Sequence, residues 1–162
     1  MKKKINYIFL TIVLLFLTEC TGYEPIFSSS NVNFEIKNYT VKGNETLGKR
    51  IYSKLYSLSK SNNGKQNVRD ISLFIDVSKK REVASKNSAG KILEYKIILN
   101  AEIKVLDNIN NEDLLVENFN YSEIYKLQPQ YSETLKMENK AIENMISKIY
   151  RNLSINITKT LK

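Results

Sequence analysis

The chain contains no histidine and only one cysteine, Cys20, among its 162 residues. With a single cysteine no disulfide can form within the chain, so the fold must be stabilised by packing. Without histidine, a metal site built from histidine and cysteine is excluded, and so is a catalytic dyad that uses histidine as its base. We therefore expect no metal site and no cofactor.

Acidic residues are also in the minority. Lys and Arg number 25 and Asp and Glu number 17, which gives a formal net charge of +8. Such an excess favours anionic partners, namely lipid headgroups, phosphorylated glycolipid or nucleic acid. Because the N-terminal segment predicts export, we expect no nucleic-acid partner.

The N-terminal segment is a short apolar run behind a basic start. Lysines occupy positions 2–4, and the apolar run covers residues 8–17. A membrane-spanning helix needs roughly 20 apolar residues, so this run is too short to span a bilayer comfortably. Its length and basic start are typical of a cleaved secretory signal, which we predict over residues 1–19. The alternatives are an uncleaved N-terminal anchor, or ordinary signal cleavage that leaves Cys20 free.

The residues around Cys20 resemble a bacterial lipobox. Leu17 and Thr18 fit the box, whereas Glu19 departs from the small residue that normally precedes the cysteine. The resemblance implies that Cys20 is the lipid attachment site and the first residue of the mature protein, which is then held to a membrane through its N-terminal lipid. Each buried methylene of an acyl chain contributes about 0.8 kcal/mol, so several chains on one cysteine hold firmly. Thr21, in place of an acidic residue, resembles a signal for the outer membrane.

A tether and a single domain are predicted after the cysteine. Pro25 and a serine run indicate a tether over residues 20–31, followed by one domain over residues 32–162. Alternating apolar residues at Val32, Phe34 and Ile36 predict a short strand. Asn44 is then placed to cap a helix whose apolar residues recur at helical spacing. Those residues are Leu47, Ile51, Leu55 and Leu58.

Three further strands are predicted after a break at residues 61–65. Alternation over Ile71–Val77 opens the second strand, and Ser88, Ala89 and Gly90 predict the turn that follows it. The third strand has the clearest alternation, with one apolar face made by Leu93, Tyr95, Ile97, Leu99, Ala101, Ile103 and Val105. In the fourth strand the apolar residues change parity, so we predict a bulge near Glu117 and Asn118.

A long amphipathic helix is predicted last. Ser132 is a suitable N-cap, with Glu133 in the first turn. One apolar stripe follows, made by Ile142, Met145, Ile146, Ile149, Leu153, Ile157 and Leu161. The stripe could lie on a membrane surface, but core packing is favoured because the sheet needs a cover. The order β-α-β-β-β-α predicts an α+β two-layer sandwich, in which two helices cover a mostly antiparallel four-stranded sheet.

The order of elements and three local patterns resemble the lipopolysaccharide-assembly lipoprotein family, LptE. The first pattern is the opening Cys20–Phe27, with glycine and an aromatic residue close to the cysteine, although Thr21 is inserted before Gly22. The second is the central hairpin, with Val77-Ser78, then Ala84-Ser85, then Gly90 and Glu94-Tyr95. The third is Pro129-Gln130 leading into a helix that carries Lys136.

The resemblance implies a function without catalysis. Members of the family sit as a plug inside the outer-membrane barrel LptD, support assembly of that barrel, and bind lipopolysaccharide during its delivery to the outer leaflet. An LptD-type barrel, lipopolysaccharide and the membrane are therefore the expected partners, on the periplasmic side of the outer membrane. A polar surface would suit a barrel lumen.

Lipopolysaccharide carries phosphates, and Lys and Arg side chains donate charge-assisted hydrogen bonds to such groups. Basic residues crowd the central hairpin and recur near the last helix. The candidate lipopolysaccharide-binding residues are Lys80, Arg81, Lys86, Lys91 and Lys136. The alternative for each of them is an ordinary solvated charge.

Two other classes of function remain open from the residues alone. One is a lipoprotein adaptor, or a lipid-binding module, of another envelope machine. The other is an envelope hydrolase that uses serine and lysine, but Ser57 and Lys60 lie on an ordinary amphipathic helix without supporting motifs. We expect no enzymatic activity.

Overall fold

A computed structural model describes residues 34–59 and 68–161. It contains β1 (Phe34–Gly43), α1 (Glu45–Ser59), β2 (Arg69–Lys86), β3 (Ile92–Asp107), β4 (Asp113–Lys126) and α2 (Tyr131–Thr160). This is the predicted α+β order. The predicted signal peptide over residues 1–19, the tether over 20–31 with Cys20, and the break at 61–65 lie outside the described residues.

The four strands form one sheet in the order β1-β2-β3-β4. The β2–β3 and β3–β4 pairs are antiparallel, as expected from their short connections, whereas β1 pairs with β2 in parallel. A parallel pair needs a crossover, and here α1 lies between the two strands in the chain. The sheet is therefore mixed, with two of its three pairings antiparallel.

The core lies between one face of the sheet and the two helices. On β3 the predicted alternation is confirmed from Ile97 to Val105, where every second side chain is buried. The stripe on α2 is buried from Ile142 to Ile157, which confirms that this helix covers the sheet. Within the described residues, no helix combines the length and the hydrophobicity that crossing a membrane requires.

The predicted bulge in β4 is wrong in position. The pairing of β3 with β4 runs without interruption past Glu117 and Asn118, and its register shifts at Leu114, between the Val105–Leu115 and Leu106–Asp113 pairs. From Leu115 onward the side chains of the strand alternate between the two faces of the sheet without interruption, and Phe119 is buried on the helix side. Val116 therefore faces the other side of the sheet and is exposed, because an apolar side chain on an edge strand can be left uncovered.

The two predicted helix starts have different outcomes. Asn44 caps α1 as predicted, since its Oδ1 accepts a hydrogen bond from the Leu47 backbone N–H at 3.1 Å. Ser132 does not cap α2. That helix begins at Tyr131 and Gln130 occupies the N-cap position without a side-chain hydrogen bond. The Thr134 Oγ1 instead accepts a hydrogen bond from the Gln128 backbone N–H at 2.8 Å, which fixes the chain before the helix.

Candidate binding surface

The sheet has one end that β1 does not reach. β1 ends where Gly43 pairs with Val77, whereas β2 continues to Lys86 and pairs only with β3 beyond that point. At about 3.3 Å per residue, this continuation is roughly 30 Å long. We call residues Ser78–Asn100 the extended hairpin. The first described residue, Phe34, lies at the opposite end of the sheet, where it pairs with Arg69.

A tight turn closes the extended hairpin at the predicted place. The Asn87 side-chain oxygen accepts hydrogen bonds from the backbone N–H groups of Ala89 at 3.1 Å and Lys91 at 2.9 Å. Gly90 has φ of +78°, a conformation that favours glycine, and its N–H donates to the Asn87 carbonyl at 2.9 Å. The turn therefore holds Lys86 and Lys91 close together on either side of it, and both are exposed.

The five predicted cations do not form one compact cluster. Lys80 and Arg81 are neighbours on a strand and so point to opposite faces of the sheet. The Lys80 ammonium is exposed and pairs with Glu82 at 2.7 Å. Lys136 lies on α2, exposed, with its ammonium 2.7 Å from Glu133. Only Lys86 and Lys91 are brought together by the hairpin itself.

A second cluster, which the sequence prediction missed, joins the extended hairpin to α2. Its centre is the half-buried carboxylate of Glu138. This carboxylate accepts hydrogen bonds from Lys79 Nζ at 2.9 Å and from Tyr125 Oη at 3.0 Å, and Arg81 Nη1 lies 3.5 Å away. The Arg81 guanidinium also lies 4.8 Å from the ring centre of Tyr95. We call Lys79, Arg81, Tyr95, Tyr125 and Glu138 the Glu138 cluster.

The electrostatics of the Glu138 cluster follow from these contacts. Burial acts to raise the pKa of the Glu138 carboxyl, but hydrogen bonds from Lys79 and Tyr125, together with the charges of Lys79 and Arg81, outweigh it and hold the pKa below its ordinary value. Burial also raises the pKa of the Tyr125 hydroxyl. One sequence signal for this cluster existed, because the alternation of Ile75 and Val77 continues to Lys79 and Arg81 on the same face.

Exposed apolar side chains accompany the cations at this end of the sheet. Val83 and Leu93 share the helix-side face of the extended hairpin by strand alternation, and each is more than two-fifths exposed. Tyr131 and Leu135, in the first turns of α2, are also exposed. The Leu127 N–H donates to the Leu93 carbonyl at 2.9 Å, which keeps the start of α2 beside the hairpin. Cations and apolar groups at one end make an amphiphilic surface.

The face of the sheet away from the helices is largely polar. A shallow groove there is lined by residues of the three strands β2, β3 and β4, among them Asp76, Ser78, Glu102 and Asn118. Across β3 and β4, the Asn120 side-chain N–H donates to the Asn100 side-chain oxygen at 2.5 Å. This face can therefore form hydrogen bonds with a wet, polar environment.

Comparison with known proteins gives the fold. No protein-family model matches the chain, and no curated protein matches it. Among solved structures, a putative lipoprotein from Caulobacter crescentus is similar with a TM-score of 0.59 and 13% identity, over 82% of this chain and 93% of that one. Uncharacterized lipoprotein B from Nitrosomonas europaea is similar with a TM-score of 0.55 and 14% identity, over 83% and 88%.

A minor lipoprotein from Acinetobacter baumannii is similar at the same level, with a TM-score of 0.55 and 10% identity, over 79% of this chain and 92% of that one. At these identities the likeness concerns the fold alone. The chain therefore has the fold of several bacterial proteins that are described as lipoproteins, and it spans most of the length of each.

Proposed function

We propose that this chain is an outer-membrane lipoprotein that plugs an LptD-type barrel, helps to assemble it, and binds lipopolysaccharide on the periplasmic side. The observation that carries the proposal is the end of the sheet that β1 does not reach. There a basic turn and exposed apolar side chains project past β1 and α1, on a fold that bacterial lipoproteins share. The role requires no catalytic residue.

The anchor and the binding end lie at opposite ends of the sheet in this proposal. The lipid would be attached at Cys20, and the chain from there enters the described structure at Phe34, which pairs with Arg69. β2 then runs 18 residues from Arg69 to Lys86, or roughly 60 Å at about 3.3 Å per residue. A membrane tether at one end therefore leaves the basic turn free to reach away from that membrane.

The chemistry of the end of the sheet that β1 does not reach suits lipopolysaccharide. Phosphates of the lipid would accept charge-assisted hydrogen bonds from Lys86 and Lys91 at the turn, and from Lys136 on α2. Acyl chains would contact the exposed apolar side chains of Val83 and Leu93. Lys80, Arg81 and Lys136 each already pair with a carboxylate of the protein, so we assign each of them a smaller part of the binding free energy than Lys86 or Lys91.

The polar outer face of the sheet supports the plug role. A barrel lumen in the outer membrane is wet and polar, and a plug must form hydrogen bonds with it. The Asn100–Asn120 pair and the groove beside it supply amide, hydroxyl and carboxylate groups for such contacts. The helices cover the other face, so the sheet can meet the lumen without exposing its core.

Charge reversal tests the lipid-binding site. We expect the triple variant Lys86→Glu, Lys91→Glu and Lys136→Glu to bind lipopolysaccharide about tenfold or more weakly, because 1.4 kcal/mol spread over three charge-assisted contacts suffices for that loss. Binding is measured by titrating immobilised lipopolysaccharide with the purified full chain.

The matched control reverses three other exposed cations on α2, Lys148, Arg151 and Lys159. This control changes the net charge by the same amount and should bind within about twofold of the wild type, a difference of roughly 0.4 kcal/mol. Equal losses in both triple variants would mean that only the total charge matters. An unchanged affinity in the first variant, with its circular dichroism intact, would remove the site assignment.

A further inference from the structure

One edge of the extended hairpin has no partner strand in the described part of the chain. β1 leaves the edge of β2 at Gly43, where φ of +71° turns the chain into α1. The last contact is the hydrogen bond from the Asn44 N–H to the Val77 carbonyl at 2.7 Å. From Ser78 onward β2 pairs with β3 on one side, and none of strands β1 to β4 lies on its other side.

The direction of the free backbone groups follows from that last contact. In an antiparallel pair, a residue directs its N–H and C=O to the same side, and successive residues alternate. Because the Val77 carbonyl points to the β1 side, Lys79, Arg81 and Val83 also direct their backbone groups to the open edge. The register of β2 with β3 is unbroken from Ile71 to Val83, so the alternation holds throughout. Ser78, Lys80 and Glu82 point to β3 instead.

The charges around this edge restrict the possible partner. Lys79, Lys80, Arg81 and Lys86 provide four cations along this part of β2. Three carboxylates lie beside them, those of Glu82 and Glu138 and that of Glu94, which accepts a hydrogen bond from Ser85. A second copy of the same edge would place cations opposite cations, which is unfavourable in a strand pair. An extended segment with acidic side chains would instead gain both backbone hydrogen bonds and charge complementarity.

We propose that the edge of β2 from Lys79 to Val83 binds an extended, acidic segment of a partner protein by addition of a strand. The segment continues the sheet in the place that β1 vacates at Gly43. The register shift after Val83 ends the regular edge, which leaves an open stretch of about 20 Å over residues Ser78–Val83, the usual length of a strand. This binding does not depend on lipopolysaccharide.

The test uses the full chain in detergent and a synthetic nine-residue peptide of alternating valine and aspartate. Binding is followed by fluorescence anisotropy of the labelled peptide, and amide hydrogen exchange is followed residue by residue. We expect the peptide to slow exchange at Lys79, Arg81 and Val83 by about tenfold or more, while Ser78, Lys80 and Glu82 change little because they already bond to β3. A peptide with lysine in place of each aspartate should not bind.

Two variants separate strand addition from attraction of charges. Val83→Pro removes an N–H from the open edge without removing a bond to β3, and should weaken peptide binding about tenfold or more. Val83→Ala keeps that N–H and should bind within about threefold of the wild type. Two affinity results with the aspartate peptide would each overturn the proposal: wild-type affinity in Val83→Pro, or no binding to the wild type. Equal binding of the lysine peptide would also overturn it, and so would a slowing of amide exchange that does not alternate between residues.

A peptide-based control applies even where Val83→Pro perturbs the fold. Two peptides are methylated on backbone nitrogen, one at the odd positions and the other at the even positions. In a strand pair, only one of these two sets of peptide nitrogens faces β2. One methylated peptide should therefore lose binding, and the other should keep it. Equal affinities for the two methylated peptides would contradict strand addition.

Discussion

The two halves of β2 have the same alternation but different surroundings. In Arg69–Val77 the strand lies between β1 and β3, and its helix-side residues Ile71, Leu73, Ile75 and Val77 are at most 2% exposed. In Ser78–Lys86 the strand pairs only with β3, and the same face carries Lys79, Arg81 and Val83. The first half holds the fold together, whereas the second half has one edge that no described strand covers.

What differs between the halves is the cover provided by α1 and β1. α1 packs closely on β1, since a Cβ on Gly48 would lie 2.3 Å from a methyl carbon of Val41. The rings of Tyr39 on β1 and Tyr52 on α1 stack with their centres 3.7 Å apart. This unit ends at Gly43, so β2 has no β1 beside it beyond that point, and on the helix side its Lys79 bonds to Glu138 of α2.

Truncation of one apolar side chain in each half gives the largest expected contrast. Ile75→Ala should reduce the free energy of unfolding by about 2–5 kcal/mol, because it leaves a cavity in the core. Val83→Ala should cost less than about 1 kcal/mol, because Val83 is 45% exposed. Equilibrium unfolding in urea measures both. Similar losses in the two variants would mean that the extended hairpin is as well packed as the sheltered half.

Two glycines with positive φ sharpen the comparison. Alanine in the left-handed region costs about 1–2 kcal/mol, and we expect that loss for Gly90→Ala, where a Cβ meets nothing within 4 Å. At Gly43 a Cβ would also lie 2.3 Å from the Val77 carbonyl oxygen. Gly43→Ala should therefore lose about 3 kcal/mol or more, since the strain adds to a clash. Equal melting temperatures for the two variants would contradict a tight junction at Gly43.

The Glu138 cluster gives the smallest effect, and it depends on pH. The pKa of Glu138 is lower in the folded chain than its ordinary value, so its contribution to stability is present above the unfolded pKa and is lost as the pH falls through the folded pKa. Glu138→Gln should reduce the free energy of unfolding by about 1 kcal/mol at pH 7. This difference should begin to shrink as the pH falls below the ordinary Glu pKa of about 4.3, and it should approach zero only below the lower pKa of the folded chain.

The control for that prediction is Glu82→Gln on the same strand. Glu82 also pairs with a lysine, Lys80, and the hydrogen bond and charge of that lysine lower the pKa of Glu82. The pair is exposed to solvent and is screened by salt, so its difference from the wild type should be smaller than that of Glu138→Gln at every pH. A difference for Glu138→Gln that stays constant from pH 7 to pH 3 would show that the charge of Glu138 does not matter.

The order of elements was predictable because it depends on local patterns. Strict alternation over Ile97–Val105 and one stripe on α2 each fix a buried face without knowledge of the rest of the chain. Gly90 and Asn44 mark a turn and a cap through the conformations and hydrogen bonds that their side chains allow. These signals are sufficient for the α+β sandwich and for the position of the basic turn.

The features that the sequence did not predict depend on contacts between distant residues. The register shift in β4 lies at Leu114 and not near Glu117, because pairing with β3 decides which side chains turn outward. The start of α2 is fixed by Thr134 and Gln128, so Ser132 has no capping role. The Glu138 cluster joins residues of β2, β3 and β4 with α2. Alternation along β2 indicates only that Lys79 and Arg81 share a face, and no local pattern indicates their partners on the other elements.

The most direct test of the proposed function is recovery of the partner from the bacterial envelope. The full chain, with a tag at its C-terminus, is extracted in mild detergent and purified, and its intact mass reports whether Cys20 carries acyl chains. We predict that an LptD-type barrel is recovered with it in folded form. Recovery of the chain without that barrel, from an extract in which the barrel is folded, would contradict the proposal; a different envelope machine in its place would favour the adaptor alternative.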